Sequence, residues 1–426
     1  VAVTDVEEML RLFFLASLSS VALVAGCSDS GGVARQAAGG SSGSGSGNGA
    51  GTAGSGGETA GGAAGAGGAS SGTGGSTGGG ENGGAGAGGS AGSAGSAGAS
   101  GSAGTGGAFA SFSCPAGPFG APVPEGATPT QVASVPPSDG YVTKGFYNIE
   151  GPVWLGDSLY LSQINGGTNV PPARILKLTG DSVSVFLAEA GTGGLAVGPD
   201  GKLYGARHTE GSIVRIDPAT SEVTALAGLY ESKRFNSPND LAVRSDGNLY
   251  FSDPTYQAPL CTEQMPCDPE IQGQGSPNTR VYRLEAGTNA VSVVDDQLLE
   301  PNGVTLSLDE NTLFVTANSG AQGGKLFGYT LDASGAVTAS TKLSDSVGGD
   351  GMVIDCAGNL YIASESEVVI LDPTGTTEIT RVSVPASGTL TNLAFGGPEQ
   401  KTLFITFLGN TGGLYKVDLA IPGRPY

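Results

Sequence analysis

From residue 149 onward the chain repeats one pattern of apolar and polar positions. Each copy opens on a lead residue and a small or polar residue, then runs apolar-x-apolar, turns, and resumes at Leu-Tyr or Leu-Phe. The openings are Glu150-Gly151-Pro152-Val153-Trp154, Gly193-Gly194-Leu195-Ala196-Val197, Asn239-Asp240-Leu241-Ala242-Val243, Asn302-Gly303-Val304-Thr305-Leu306, Asp350-Gly351-Met352-Val353-Ile354 and Thr391-Asn392-Leu393-Ala394-Phe395. The second strands carry Leu159-Tyr160, Leu203-Tyr204, Leu249-Tyr250, Leu313-Phe314, Leu360-Tyr361 and Leu403-Phe404. Alternating apolar positions, turns such as Asp200-Gly201 and Asp246-Gly247, and no long 3.6-residue periodicity predict an all-β chain. Strand repeats spaced by roughly forty to fifty residues predict radial repetition, and six copies predict a six-bladed β-propeller with four-stranded blades. The last copy has only three strands, ending at Leu414-Tyr415-Lys416-Val417. Residues 130–135 are predicted to supply the fourth and close the ring without a free edge.

The varying lead letters carry the chemistry. First strands of propeller blades line the central channel, so Glu150, Gly193, Asn239, Asn302, Asp350 and Thr391 should converge on one mouth. Two carboxylates and two amide carbonyls in a narrow pore make an oxygen-rich site for a hard divalent cation. Ca²⁺ is the first choice, and Mg²⁺, Mn²⁺ and Zn²⁺ are also admitted by such ligands. Asp-Gly and Asn-Gly also mark ordinary hairpins, but position argues otherwise here. Asp350-Gly351 precedes its strand, and the turn of that copy is Cys356-Ala357-Gly358-Asn359; Asn302-Gly303 likewise precedes a turn at Asp309-Glu310-Asn311. Asn239 has two readings, metal ligand and substrate contact. Second strands run back toward the leads, so their ends bring Gln163, His208, Asp253 and Asn318 to the pocket wall. Glu365 stands at the equivalent place in the fifth copy. His208 is the sole histidine; a loop histidine is commonly a surface or hydrogen-bonding residue, and this one is also a candidate substrate contact. Gly193 and Thr391 are small leads that should leave room for a substrate. One histidine and no strand-turn-helix Gly-x-Ser-x-Gly argue against a serine triad.

Five segments carry a resemblance: Glu150-Gly151-Pro152-Val153-Trp154, Ser237-Pro238-Asn239-Asp240-Leu241, Asp253-Pro254-Thr255-Tyr256, Pro301-Asn302-Gly303-Val304 and Asp350-Gly351-Met352. In this order the chain, from about residue 125 to its end, resembles the gluconolactonase, regucalcin (senescence marker protein) and luciferin-regenerating enzyme family. The resemblance implies one catalytic divalent metal in the channel and hydrolysis of a lactone or related ester. By it, Glu150, Asn302 and Asp350 match metal ligands, Asn239 matches the fourth polar position beside the metal, and Asp350 also matches the general base. One departure is Ser162-Gln163-Ile164, where many relatives carry an aspartate, and this alters how a sugar hydroxyl would be met. The alternative to an enzyme is a non-catalytic, lipid-anchored propeller acting as a binding or scaffold module. A lyase of the streptogramin-opening kind needs histidine near its metal, which a single histidine argues against.

Composition divides the chain. Residues 1–27 read as a signal: Arg11 precedes a short apolar run, and Val24-Ala25-Gly26-Cys27 resembles the lipobox of bacterial lipoproteins, with Cys27 as the lipidated residue. Asp5, Glu7 and Glu8 sit where a basic region belongs, so Met9 is the better start. Residues 28–111 are almost entirely Gly, Ser, Ala and Thr, which cannot bury enough surface to offset ordering entropy and predict a flexible tether. Residues 112–426 are the propeller. This layout predicts an exported lipoprotein at the outer membrane, periplasm or cell surface, touching membrane only through its anchor. The 39 acidic against 19 basic residues, a net charge of −20, disfavour nucleic acid as a partner. The resemblance implies a small-molecule lactone or ester as partner, and a monomer is expected. Cys114, Cys261, Cys267 and Cys356 form an even set in an exported chain and predict two disulfides. Cys261 with Cys267 is the local pair, in a loop that lengthens the third copy, and Cys114 with Cys356 would tie the N-terminal segment to the fifth blade.

Overall fold

The second strand of the first repeat, Ser158–Ile164, is buried at all seven positions. A strand buried on both faces needs a neighbour on each side, which only stacked sheets provide. The computed structural model describes residues 112–141, 144–166, 173–257, 269–273, 278–318, 324–410 and 412–424. The predicted leader and tether, Cys27, the Cys261–Cys267 pair and the side chain of Asn318 lie outside the described residues. Every regular element among the described residues is a strand.

The second to fifth repeats each form a separate antiparallel sheet of four strands in chain order. The first and last repeats join in one eight-stranded sheet, because Tyr147 and Asn148 pair with Gly409 and Leu408. Innermost strands are Tyr147–Leu155, Thr192–Val197, Leu241–Val243, Pro301–Leu306, Met352–Ile354 and Gly388–Gly396. Outer strands such as Val223–Ala227 are largely exposed. The core is divided among the sheet-to-sheet contacts. Val153 and Tyr160 of the first sheet share a buried cluster with Leu195 and Val214 of the second. Equivalent clusters join the third to the fourth, the fourth to the fifth and the fifth to the sixth. Phe404 and Leu414 of the last sheet pack with Ile149, Leu159 and Leu176 of the first. Each buried Leu, Ile or Phe stabilises these contacts by about 1.5–3 kcal/mol.

The expected fourth strand of the last sheet is present but short. Thr130–Gln131 pairs antiparallel with Leu414–Asp418, and the Val132 N–H donates to the Leu414 carbonyl at 2.8 Å. Beyond it Val132 and Val135 turn into the core instead of extending the edge. Sixteen residues earlier in the chain than Thr130, Cys114 is disulfide-bonded to Cys356, with Cα atoms 5.3 Å apart, as expected.

The inner strands share one irregularity. Pairing skips between Glu150 and Val153, between Thr192 and Leu195, between Pro301 and Val304, and between Leu390 and Leu393. The last three skips leave out a lead and its follower, and the first leaves out Gly151 and Pro152. Such a bulge interrupts the pleat and re-aims side chains that regular pairing would hold within the sheet.

Candidate metal and substrate site

The lead positions meet through their backbones. The Gly194 N–H donates to the Asn239 carbonyl at 2.6 Å, and the Gly351 N–H donates to the Thr391 carbonyl at 2.7 Å. The Asp350 carbonyl accepts from Thr316 Oγ1 at 2.9 Å. Thr391 Oγ1 donates to the Ile149 carbonyl at 2.5 Å and lies 2.9 Å from Thr406 Oγ1. The followers must be small for strands to approach this closely. A methyl group on Gly303 would lie 2.1 Å from the Asp350 carbonyl oxygen, and one on Gly351 would lie 1.9 Å from Asn392 Oδ1.

Three carboxylates gather here. Glu150 is buried and accepts from the Gly151 N–H at 3.1 Å. Burial, then the charge of Asp240, pushes its carboxyl up to about 8. Asp350 is raised well above the carboxylate range by burial, by Glu150 and by Asp240, while a hydrogen bond from the Asn302 side chain opposes the rise. Asp240 is raised to about 6 by burial, although it accepts from the Val304 N–H at 3.0 Å and the Leu241 N–H at 2.9 Å. Asn392 hydrogen-bonds both Glu150 and Asp240, and its Oδ1 accepts from the Leu393 N–H at 2.8 Å.

Asn302 is 2 % exposed, and its Oδ1 has no hydrogen-bond partner. A buried amide oxygen is normally satisfied, so this atom marks a position where an electropositive group fits. The three carboxylates lie within electrostatic reach of one another but are not placed to hold an ion by themselves: among the described residues no three His, Cys, Asp or Glu side chains form such a cluster. A cation here would therefore draw on amide oxygens as well as on Glu150 and Asp350.

The wall residues fall into two groups. His208 is 4 % exposed, its Cδ2 lies 3.9 Å from where a Gly193 side chain would begin, and its Nε2 is unpartnered. Burial, then the Arg207 charge, lowers its pKa to about 4, so the ring is neutral. The ring thus stands beside the one lead that lacks a side chain. Asn239 is half-buried. Gln163 and Asp253, by contrast, are wholly buried with their polar atoms engaged by protein. Gln163 Nε2 donates to the Pro136 carbonyl and Oε1 accepts from Arg174 Nε, each at 2.6 Å. Asp253 accepts the N–H groups of Asn236 and Ser237, each at 2.9 Å, and so fixes the loop that delivers Asn239. Glu365 is exposed.

Asp240 and Asn392 were not among the expected site residues. Their signal stood in the second place of the repeat, where Gly151, Gly194, Gly303 and Gly351 carry no side chain and only Asp240 and Asn392 depart. Each of the two fills space left by a neighbouring glycine: Asp240 Oδ1 lies 2.6 Å from where a Gly194 methyl would sit.

Residues 149–409 match the model of the SMP-30/Gluconolactonase/LRE-like region. The chain is 34 % identical to a gluconolactonase of Zymomonas mobilis over 285 residues, covering 60 % of this chain and 75 % of the relative. It is 26 % identical to a lactonohydrolase of Aspergillus oryzae, covering 64 % and 68 % of the two chains. Among solved structures, a Xanthomonas campestris gluconolactonase matches with TM-score 0.56 and 27 % identity over 70 % of this chain and 91 % of that one. A calcium-binding regucalcin of Agrobacterium tumefaciens matches in fold, with TM-score 0.53 and 20 % identity over 72 % and 96 %. With this propeller-type fold, its ordered lead segments and a family match across most of its sheets, the chain belongs to the SMP-30/gluconolactonase/LRE-like family.

Proposed function

We propose that the chain is a metal-dependent hydrolase of a lactone or related ester, built as a closed six-bladed propeller. In this reading Glu150, Asn239, Asn302 and Asp350 hold one divalent cation in the channel. One observation carries it: Asn302 Oδ1 is a buried oxygen without a partner, beside carboxylates that burial and mutual repulsion drive toward protonation. A divalent ion would satisfy the first and relieve the second, and an all-oxygen donor set suits Ca²⁺ before Mg²⁺, Mn²⁺ or Zn²⁺. The names of the Zymomonas and Aspergillus relatives support a lactone as substrate. Four-stranded units in every repeat, and the core shared by the last and first sheets, support closure.

When bound, the cation would supply Lewis-acid polarisation of the substrate carbonyl. Asp350 accepts the proton of the attacking water, and the Asn302 amide nitrogen, donating to its carboxylate, fixes the direction from which it acts. Asn239 orients the substrate with its half-buried amide. His208, neutral because it is buried, offers Nε2 as a hydrogen-bonding atom in the room beside Gly193. Gln163 and Asp253 act behind these groups by holding the strand end and the loop that deliver them.

The test is a panel of aldono- and acyl lactones, assayed after chelation and again after Ca²⁺ is restored. Hydrolysis should vanish with the chelator and return with the ion. Asp350→Asn should lower kcat/KM by roughly 10²–10⁴-fold without loss of folded protein. Full activity in that variant would end the mechanism, and silence of the folded, Ca²⁺-loaded chain across the panel would favour a binding module instead.

A further inference from the structure

Asn302 is not aimed by the strand ladder. Pro301 pairs with Ala317 and the next pair is Val304 with Val315, so Asn302 and Gly303 have no partner in register. On the far side the Gly303 N–H donates to Thr316 Oγ1 at 2.8 Å. On the near side stands Glu300, at φ 49°. A residue with a side chain in the left-handed region costs roughly 1–2 kcal/mol, and the residue before a proline is ordinarily pushed to extended backbone. Such a conformation persists only where its surroundings hold it.

What holds it belongs to the third repeat. The Glu300 N–H donates to Thr279 Oγ1 at 3.1 Å, and that hydroxyl donates to the Leu298 carbonyl at 2.7 Å. The Glu300 carboxylate accepts from the Thr255 N–H at 2.8 Å and from Thr255 Oγ1 at 2.5 Å. Its carbonyl accepts from the Tyr256 hydroxyl at 3.3 Å. Every polar group of Glu300 is thus committed, and the fixed φ of Pro301 passes this anchorage on to Asn302. The same short segment reaches the other amide. Ser237 Oγ donates to the Pro254 carbonyl at 2.7 Å and accepts from the Gln257 N–H at 3.3 Å, while Asp253 accepts the Asn236 and Ser237 N–H groups. Ser237 lies two residues before Asn239. Residues 253–257 therefore form a yoke, tied to Asn239 on one side and to Asn302 on the other.

We propose that Glu300 is a positioning residue: through Thr255 it sets the direction of Asn302 and couples it to Asn239, so that the two amides meet a cation as a pair. This rests on the reading above, in which both amides are ligands, but the tie between Glu300 and Asn302 exists without the ion.

Glycine separates the contact from the backbone. Glu300→Gly accepts a positive φ without steric cost but lacks the carboxylate, whereas Glu300→Gln keeps an acceptor for the Thr255 N–H. Calorimetric titration of Ca²⁺ into the full chain should show affinity weakened roughly 10–100-fold in Glu300→Gly, the range for groups that orient a metal ligand, and largely restored in Glu300→Gln. Combined with Asn239→Ala, Glu300→Gly should cost less than the sum of the two single losses. A second readout needs no ion. In protein labelled with nitrogen-15 asparagine, the Asn302 side-chain amide, assigned by its absence from Asn302→Asp, should shift or broaden in Glu300→Gly. Thr255→Val, which leaves Glu300 in place, should move the same signal. An unmoved signal in both variants, or unchanged Ca²⁺ affinity in Glu300→Gly where the wild type binds, would overturn the positioning role. Additive losses in the double variant would overturn the coupling to Asn239. A wild-type chain that binds no Ca²⁺ would instead end the cation reading, and the amide signal alone then decides for or against Glu300.

Discussion

At the scale of single residues, the site is built from two rings, one of leads and one of followers. The leads could be read from the sequence because each copy of the repeat announces its own first residue. The followers could not, because what makes Asp240 and Asn392 matter is a contact with another copy far away in the chain. Asp240 binds the Val304 N–H of the next sheet, and Asn392 reaches Glu150 in the first. Such pairs leave no periodicity of their own. Glycine at the other followers is a demand of space, so Gly351→Ala should force Asn392 aside. A loss on the order of 1–3 kcal/mol, as for other overpacked sites, should appear in urea unfolding, together with a weaker response to Ca²⁺. His208 makes a separate prediction. Its folded pKa of about 4 lies below the ordinary value of 6.5, so between those values the unfolded chain takes up a proton that the folded chain refuses. Its share of stability is intact above pH 6.5 and is lost as pH falls toward 4. The full loss is on the order of 3 kcal/mol. His208→Asn should remove this part of the acid sensitivity, and equal slopes for both proteins in stability-against-pH curves would refute the assignment.

At the scale of elements, strand identity was written in the apolar alternation and turn order in the Asp-Gly pairs. The bulges were not, since skipping two residues against a partner changes pairing without changing composition. The same holds for the strand Thr130–Gln131: its existence followed from a missing fourth strand, and its length followed from Val132 and Val135 turning inward. The Cys114–Cys356 bond joins elements 242 residues apart in sequence. Cross-links of this kind contribute about 2–4 kcal/mol, chiefly by restricting the unfolded chain. Cys356→Ser should therefore lower the urea midpoint while leaving lactone turnover unchanged, because Cys356 sits at the turn end and Asp350 at the other. A variant with the wild-type midpoint would show that the bond contributes nothing to folding.

At the scale of the whole molecule, stability is shared among sheet-to-sheet contacts, while the leads oppose one another electrostatically. Asp240 raises the cost of ionising both Glu150 and Asp350, and Glu150 raises that of Asp350. A ligand that binds only the folded state stabilises it by mass action, by about 2.7 kcal/mol at a hundred times its Kd. Calcium should therefore raise Tm in the wild-type chain and leave Asp350→Asn nearly unmoved; equal shifts in both would place the ion elsewhere. The disulfide has a mechanical consequence as well. Tension entering through the chain ahead of Cys114 crosses a covalent bond directly into the turn of the fifth sheet. The two-residue pairing of Thr130–Gln131 then lies off the line of load. A pull on this protein from its N-terminal side is borne by sulfur, at the end of the strands away from the leads.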